Sequence, residues 1–165
     1  MSSFTIRPVE RTDRNWIAQF LDKHWGSTRI VTRGQVYLGH LLDGFIAEQD
    51  GKPVGLITYR IDGDACEVVT INSLAQGQGI GTALLETVKQ VALEAGCRRL
   101  WLIVTNDNLP ALRFYQKRGF HLAAVYPNAL EASRRLKPEI PLFGLDGIPL
   151  RDEIELELTL QRGPL

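Results

Sequence analysis

The sequence has no excess of charge of either sign, because its 165 residues include 19 lysines and arginines against 19 aspartates and glutamates. Domains that bind nucleic acid usually carry a basic face for the phosphate backbone, so we expect no nucleic acid partner. No apolar run approaches the roughly 18 residues that span a membrane, and residues 1–8 lack the apolar stretch of a signal peptide. We therefore expect a cytoplasmic protein without a membrane partner.

Residues that bind metals or form disulfides are also scarce. The two cysteines, Cys66 and Cys97, form no C-x-x-C motif, and we expect both to be buried as small hydrophobic side chains. The three histidines, His24, His40 and His121, have neither the spacing of zinc ligands nor that of a catalytic triad. The sequence therefore predicts no metal site.

Apolar sequence, by contrast, is plentiful enough for a packed core. Hydrophobic residues make up 44% of the chain and charged residues 23%. A chain of this length typically buries roughly 70% of its unfolded surface, so its core needs no disulfide or metal for stability. No segment repeats along the sequence, and we expect residues 1–165 to form one domain.

Hydrophobic periodicity and turn residues predict a mixed order of strands and helices. The predicted strands are residues 4–7, 44–48, 54–61, 65–71, 99–105, 120–126 and 153–158. The predicted helices are 79–95, 109–118, 129–136 and one that starts at residue 12 or 13 and ends between 24 and 26. Residues 27–43 are ambiguous, and we expect a loop there with a short helix at 36–41. The order indicates an α/β or α+β fold with a mixed sheet.

The most informative segment is the glycine loop, Gln76-Gly77-Gln78-Gly79-Ile80-Gly81-Thr82, between a predicted strand and a predicted helix. Glycines let the backbone approach a ligand closely, and the N–H groups at a helix N-terminus attract phosphate. The segment is not a dinucleotide fingerprint, because Thr82 stands where the last glycine belongs, and it lacks the lysine of a P-loop. It is a candidate phosphate-binding loop, with a purely structural turn as the alternative.

Two motifs resemble one known family. Residues 76–81 match the Q/R-x-x-G-x-G/A motif of the GNAT superfamily of acetyl-CoA-dependent N-acetyltransferases. Residues 108–120, NLPALRFYQKRGF, resemble the N-x-x-A-x-x-F-Y-x-x-x-G-F pattern of the same family. Because both motifs occur in the family's order, the sequence is identified as a member by this resemblance.

The resemblance implies a mostly antiparallel sheet with a splayed central pair of parallel strands, residues 65–71 and 99–105, flanked by helices. It implies acetyl-CoA as co-substrate, with the pantetheine arm between the splayed strands and the pyrophosphate on the glycine loop. The residues expected to bind the coenzyme are Ile71, Gln76, Gly77, Gln78, Gly79, Ile80, Gly81, Thr82, Asn108 and Lys117. Arg113 and Arg118 could also reach the phosphates. We expect at least two of the three cations Arg113, Lys117 and Arg118 to lie on a solvated helix face instead.

The resemblance also implies that Tyr115 donates a proton to the departing thiolate and that a glutamate on strand 65–71 acts as general base. Glu67 shares a strand face with Val69 and Ile71, and partial burial there would raise its pKa toward the range of a base. A base is useful because an amine with a pKa near 10.4 is only about one part in a thousand neutral near pH 7.4. The alternatives are core packing for Tyr115 and an ion pair with an arginine for Glu67.

The acceptor is the least defined partner. Trp25 and Tyr37 are candidate walls of its pocket, with core packing as the alternative. Four acidic residues could attract a cationic acceptor, although we expect them to form a solvated strand face: Asp152, Glu153, Glu155 and Glu157.

Three functions stay open. The first is transfer of acetyl from acetyl-CoA to a primary amine of a small molecule or peptide by direct attack. The second is a non-catalytic acyl-CoA-binding or regulatory module, and the third is a protein that binds another nucleotide. The presence of Tyr115 and Glu67 favours the enzyme. Homodimers are common among proteins that resemble this one, and the oligomeric state stays open.

Overall fold

The computed structural model describes residues 3–75 and 77–161, so Gln76 of the glycine loop lies outside the described residues. Its strands are β1 (Thr5–Pro8), β2 (Arg29–Thr32), β3 (Gln35–Leu38), β4 (Asp43–Gln49), β5 (Lys52–Asp62), β6 (Ala65–Ser73), β7 (Arg99–Thr105), β8 (His121–Tyr126) and β9 (Glu153–Thr159). Its helices are α1 (Arg14–Trp25), α2 (Ile80–Glu94), α3 (Leu109–Lys117) and α4 (Ala129–Leu136). The predicted fold class is confirmed.

Seven of these strands form the main sheet, in the order β1-β4-β5-β6-β7-β9-β8. All neighbouring pairs are antiparallel except β6 and β7, which are parallel. Only Ala65–Glu67 of β6 pairs with residues of β7, although β6 continues to Ser73 and β7 to Thr105. The two strands therefore separate beyond Glu67, which confirms the predicted splayed pair and opens a gap in the sheet.

Helices cover both faces of the sheet. On one face, Leu84 and Val88 of α2 pack with Ile57 of β5 in the main core, which also holds the two buried cysteines. On the other face, Phe20 of α1 packs with Leu56 of β5 in a second cluster. Leu56 and Ile57 are consecutive residues of β5, and consecutive strand residues point to opposite faces of a sheet. Helices α1 and α2 therefore lie on opposite faces of the sheet, one on each side of the gap.

Residues 27–43 differ from the expectation of a loop with a helix at 36–41. They form the hairpin β2–β3, followed by a short 3₁₀ turn at Gly39–Leu41. Arg33 and Gly34 make its two-residue turn with φ angles of 48° and 72°, the positive values that such turns require. Arginine seldom adopts this conformation, so Arg33-Gly34 is a weaker sequence signal than the Asp-Gly turns elsewhere in the chain.

The hairpin β2–β3 is held against the face of the sheet opposite α2. Arg33 lies over the Tyr126 ring, 3.3 Å from its centroid, and donates a hydrogen bond to Glu153 of β9. At the other end, Lys137 Nζ donates to the Arg29 carbonyl oxygen at 2.9 Å. The hairpin is therefore tied to the sheet at its turn and to the end of α4 at its base.

Candidate active site

A slot passes through the main sheet where β6 and β7 separate. It is a cavity of about 600 Å³ bounded by both strands, by the last turn of α1, by the first turn of α2 and by α3. Since α1 and α2 lie on opposite faces, the slot connects the two faces of the sheet. Five residues predicted from the sequence line it: Trp25, Ile71, Gly81, Asn108 and Tyr115.

The glycine loop leads directly into α2 and into this slot. Gly77 and Gly79 adopt left-handed conformations with φ angles of 76° and 75°, and Gly79 is the N-cap of α2 without a side-chain cap. A Cβ at either glycine would meet no heavy atom of the described chain within 4 Å. Open space therefore lies beside N–H groups of the kind that bind phosphate, and Gly81 in the first turn also lines the slot.

The other predicted loop residues differ in what their side chains do. Ile80 is buried in the core, so only its backbone N–H is available to a ligand. The Gln78 side chain accepts a hydrogen bond of 3.2 Å from Gln49. The Thr82 hydroxyl accepts one of 2.8 Å from Nε of Arg118.

Arg118 brings a positive charge to the start of α2. Its guanidinium lies over the Phe114 ring at 3.7 Å from the centroid and donates to the Phe114 carbonyl oxygen at 2.8 Å. Lys117 is exposed, and its ammonium makes no hydrogen bond or ion pair with residues 3–75 or 77–161. The structure therefore places Arg118, and not Lys117, beside the loop. The sequence alone does not distinguish these two neighbouring cations.

Tyr115 lies on the α3 side of the slot. Its ring is only 6% exposed and packs edge-on against Phe114 and Phe120. Burial raises the pKa of Tyr115 above its usual range, so its hydroxyl carries its proton at neutral pH. Because the side chain both packs in the core and lines the slot, a packing role and a chemical role are compatible.

Asn108 and Asn72 place amide groups along the slot. The Oδ1 atom of Asn108 accepts a hydrogen bond of 3.2 Å from the Ala111 N–H and caps α3. Asn72 of β6 accepts one of 2.7 Å from the Trp25 indole. Trp25 is thereby fixed at the α1 side of the slot, where it was expected to face an acceptor.

Glu67 is nearly inaccessible, with 4% of its surface exposed. The Tyr37 hydroxyl donates a hydrogen bond of 3.2 Å to its carboxylate. Burial raises the pKa of Glu67 to about 7, while the Tyr37 hydrogen bond and the charge of Arg60 oppose the shift. Arg60 lies opposite Glu67 in the sheet, yet within the described chain its nearest ion-pair partner is Asp62, at 3.7 Å.

Glu67 and Tyr37 do not line the slot. They lie where the hairpin β2–β3 covers β6, next to the last residues that β6 shares with β7. Tyr37 and Trp25 were both expected to line the acceptor pocket. The structure instead places Tyr37 against Glu67, the candidate base, while Trp25 lines the slot. A path from the slot to Glu67 requires the Tyr37 hydroxyl or water as an intermediate.

The acidic row on β9 is not the solvated strand face that we expected. Glu153 is 2% exposed and bonds to Arg33 of the hairpin. Glu155 and Glu157 each lie 2.8 Å from the Arg99 guanidinium. Arg33 and Arg99 therefore neutralise these three glutamates, as expected for buried carboxylates, which need a charged partner.

The slot residues that were not identified as site residues from the sequence include His24 and Asn72. His24 stands next to Trp25 at the end of α1, and Asn72 stands one residue after Ile71 on β6. No motif marks either residue, because their place in the slot depends on how α1 packs across the sheet.

Among the described residues, no three or more His, Cys, Asp and Glu side chains form a group that could hold a metal ion. In that same part of the chain, no helix is both long enough and apolar enough to cross a membrane.

Comparison with known proteins agrees with this geometry. Residues 12–120 match the acetyltransferase (GNAT) family. The Bacillus subtilis (strain 168) protein YdhI is 46% identical over 150 residues, which cover 90% of this chain and 94% of YdhI. The protein YxbD of the same organism is 43% identical over 157 residues, which cover 94% of this chain and 99% of YxbD.

The fold also matches solved structures. One is a GNAT family acetyltransferase from Elizabethkingia anophelis with acetyl-CoA bound, at a TM-score of 0.68 and 21% identity. The match covers 95% of this chain and 98% of that one. At this identity the likeness concerns the fold.

Proposed function

The chain belongs to the acetyltransferase (GNAT) family, and from this premise we propose that it transfers the acetyl group of acetyl-CoA to a primary amine of a small molecule or peptide. The observation that carries the proposal is the continuity between the slot and the N-terminus of α2, because Gly81 belongs to both. A donor whose phosphates rest on the glycine loop can extend its arm along the slot to Tyr115.

Backbone groups supply most of the proposed donor site. In this proposal the N–H groups of residues 77–82 would bind the pyrophosphate, and Arg118, which donates a hydrogen bond to Thr82, would add a cation beside them. Ile71 lies on the part of β6 that has left its ladder with β7, so backbone groups there can pair with the amides of the pantetheine arm. Asn108, which lines the slot, would contact the coenzyme near its thioester. Gln76 and Lys117 stay predictions as coenzyme contacts.

The proposed reaction is direct attack of the amine nitrogen on the thioester carbonyl carbon. A nitrogen–carbon bond forms, the carbon–sulfur bond breaks, and the sulfur leaves as a thiolate that needs a proton. Tyr115 lines the slot and retains its hydroxyl proton, because burial raises its pKa. It therefore serves as the proposed general acid.

The attacking nitrogen must also lose a proton, and Glu67 is the proposed acceptor. Its pKa of about 7 makes it partly ionised at neutral pH, which suits proton transfer. Because Glu67 lies outside the slot, the proton reaches it through the Tyr37 hydroxyl, 3.2 Å away, or through water. Trp25 and Tyr37 are the proposed walls on the acceptor side.

We extend the proposal to the setting of the protein. We expect residues 1–165 to act as one domain in the cytoplasm, and the choice between a monomer and a homodimer stays open. Multi-angle light scattering of the purified protein measures the mass directly, and the 18.5 kDa of one chain sets the reference value.

Thermal unfolding in the presence of acetyl-CoA, CoA, ATP and NAD tests the donor site. A ligand at a hundred times its dissociation constant stabilises the folded state by about 2.7 kcal/mol, a shift on the order of 5–10 °C for a domain of this size. We expect the shift with acetyl-CoA and CoA alone. A shift with ATP or NAD but not with acetyl-CoA or CoA would show that this protein binds a different nucleotide.

Thiol release in the presence of a panel of amines then tests the chemistry. We expect free CoA to accumulate together with the acetylated amine, identified by mass spectrometry. Tight acetyl-CoA binding without turnover of any amine would favour a non-catalytic acyl-CoA-binding module.

A further inference from the structure

Among the described residues that line the slot, only His24 and Tyr115 have titratable side chains. No lysine, arginine, aspartate or glutamate of the described chain lines it. Tyr115 comes from α3 and His24 from the last turn of α1. The two groups therefore approach the slot from opposite faces of the sheet.

The turn that carries His24 is held in place. Its imidazole packs against the Phe20 ring, with centroids 4.4 Å apart. The Trp25 side chain bonds to Asn72 at 2.7 Å, and its carbonyl oxygen accepts a hydrogen bond of 3.3 Å from Lys137 Nζ. In the part of the chain that the structure describes, neither ring nitrogen of His24 makes a hydrogen bond, so both are available to a ligand.

From this arrangement we propose that His24 takes the proton directly from the attacking nitrogen, and that the acceptor is an α-amino group rather than a lysine-type amine. The inference rests on the proposed acetyl transfer. It gives His24, which lines the slot, the role that the proposed function assigns to Glu67, because Glu67 is covered by Tyr37 outside the slot.

The lining of the slot explains the choice of acceptor. An ammonium group that leaves water without meeting a carboxylate is strongly disfavoured, so the amine must react as the neutral species. At pH 7.5 about a third of an α-amino group is neutral, against about one part in a thousand of a lysine side chain. Imidazole is the side chain that accepts protons most readily near neutral pH, and it suits the weaker of these two bases.

The step balances in atoms and charge. The amine nitrogen bonds to the thioester carbon and gives one proton to a free ring nitrogen of His24, while the carbon–sulfur bond breaks. The departing thiolate takes the Tyr115 proton. Solvent then removes the proton from His24 and restores that of Tyr115, so one amide and one CoA thiol result.

Steady-state kinetics with two acceptors tests the proposal. Leucinamide supplies an α-amino group, and Nα-acetyl-lysine amide supplies a side-chain amine. We expect kcat/KM to be at least about tenfold higher for leucinamide. We expect His24→Ala to lower kcat by about 100-fold with little change in KM for acetyl-CoA, and added imidazole to restore a measurable part of the rate.

Two further variants separate a catalytic role from a structural one. Lys23→Gln alters the preceding exposed residue on the same turn and should leave kcat unchanged. His24→Asn retains a polar side chain without a basic nitrogen and should behave like His24→Ala. Rescue by imidazole is not expected if the histidine only supports the packing of α1.

The outcomes distinguish this inference from the proposed function. No turnover of any amine by the unaltered protein would overturn both. Turnover that His24→Ala leaves intact, a loss confined to KM, or a preference for the lysine amine would overturn the inference alone. In those cases Glu67 would stay the proposed proton acceptor.

Discussion

The Tyr37 hydroxyl donates a hydrogen bond of 3.2 Å to the Glu67 carboxylate, across a separation of 30 residues in the chain. Tyr37 stands on β3 of the hairpin and Glu67 on β6 of the main sheet. The Glu67 carboxyl group is almost inaccessible to solvent, and the contact links the hairpin to a group whose pKa burial raises to about 7.

We predict that Glu67 makes the protein less stable as pH rises from about 4.5 to about 7. Burial raises its pKa from 4.5 to about 7, so the folded state binds this proton more tightly than the unfolded state, and ionisation opposes folding. Between pH 5 and pH 8 this group should cost about 2–3 kcal/mol of unfolding free energy. In Glu67→Gln that loss should disappear, as urea unfolding at several pH values would measure.

A matched control for this prediction is Glu94→Gln. Glu94 is exposed on α2, so its replacement should follow the pH dependence of the unaltered protein. Parallel curves for Glu67→Gln and the unaltered protein would show that Glu67 ionises normally in the folded state.

Tyr115→Phe should lower turnover and leave acetyl-CoA binding nearly unchanged. The replacement keeps the ring that packs between Phe114 and Phe120 and removes the proton donor. A general acid contributes about 10²–10⁴-fold in typical enzymes, and a thiol with a pKa near 8.5 leaves readily, so we expect about 10–100-fold. Thiol release gives the rate, and the thermal shift gives binding. Unchanged turnover would assign Tyr115 to packing alone.

Gly79→Ala should weaken acetyl-CoA binding beyond its effect on stability. Gly79 has a φ of 75° with open space beside it, so a methyl group would strain the backbone by about 1–2 kcal/mol and enter the proposed phosphate site. Gly63→Ala is the matched control, since Gly63 has a φ of 61° in the turn between β5 and β6. Both variants should melt earlier, but only Gly79→Ala should lose the thermal shift with acetyl-CoA. Equal shifts would mean that the loop holds no phosphate.

Arg118→Gln should weaken CoA binding more than Lys117→Gln does. Both changes remove one positive charge from neighbouring residues, yet only Arg118 reaches the Thr82 hydroxyl. Loss of a phosphate contact of this kind costs about tenfold in affinity, or about 1.4 kcal/mol. Calorimetry with CoA and with S-acetylpantetheine, which lacks the phosphates, measures the effect. Equal losses for both variants would indicate a diffuse electrostatic attraction instead.

Local signals predicted most of the secondary structure. The Asn108 cap and the proline after it mark the start of α3, and the observed bounds of α4 are those predicted from the sequence. These features depend on residues a few positions apart, so the amino-acid order is sufficient to predict them. The hairpin β2–β3 was missed because its Arg33-Gly34 turn is uncommon, and because contacts with Glu153 and Tyr126 far along the chain hold it.

The sequence by itself determined the order of elements, the glycine loop before α2 and the motif that carries Tyr115, because each is a pattern of neighbouring residues. Only the tertiary structure decided which groups meet at the slot. It placed His24 and Asn72 in the same slot, brought the Tyr37 hydroxyl to Glu67 and paired the β9 carboxylates with Arg33 and Arg99. Proximity and burial arise when segments far apart in the chain pack together, and burial in turn determines which carboxyl group titrates near neutral pH.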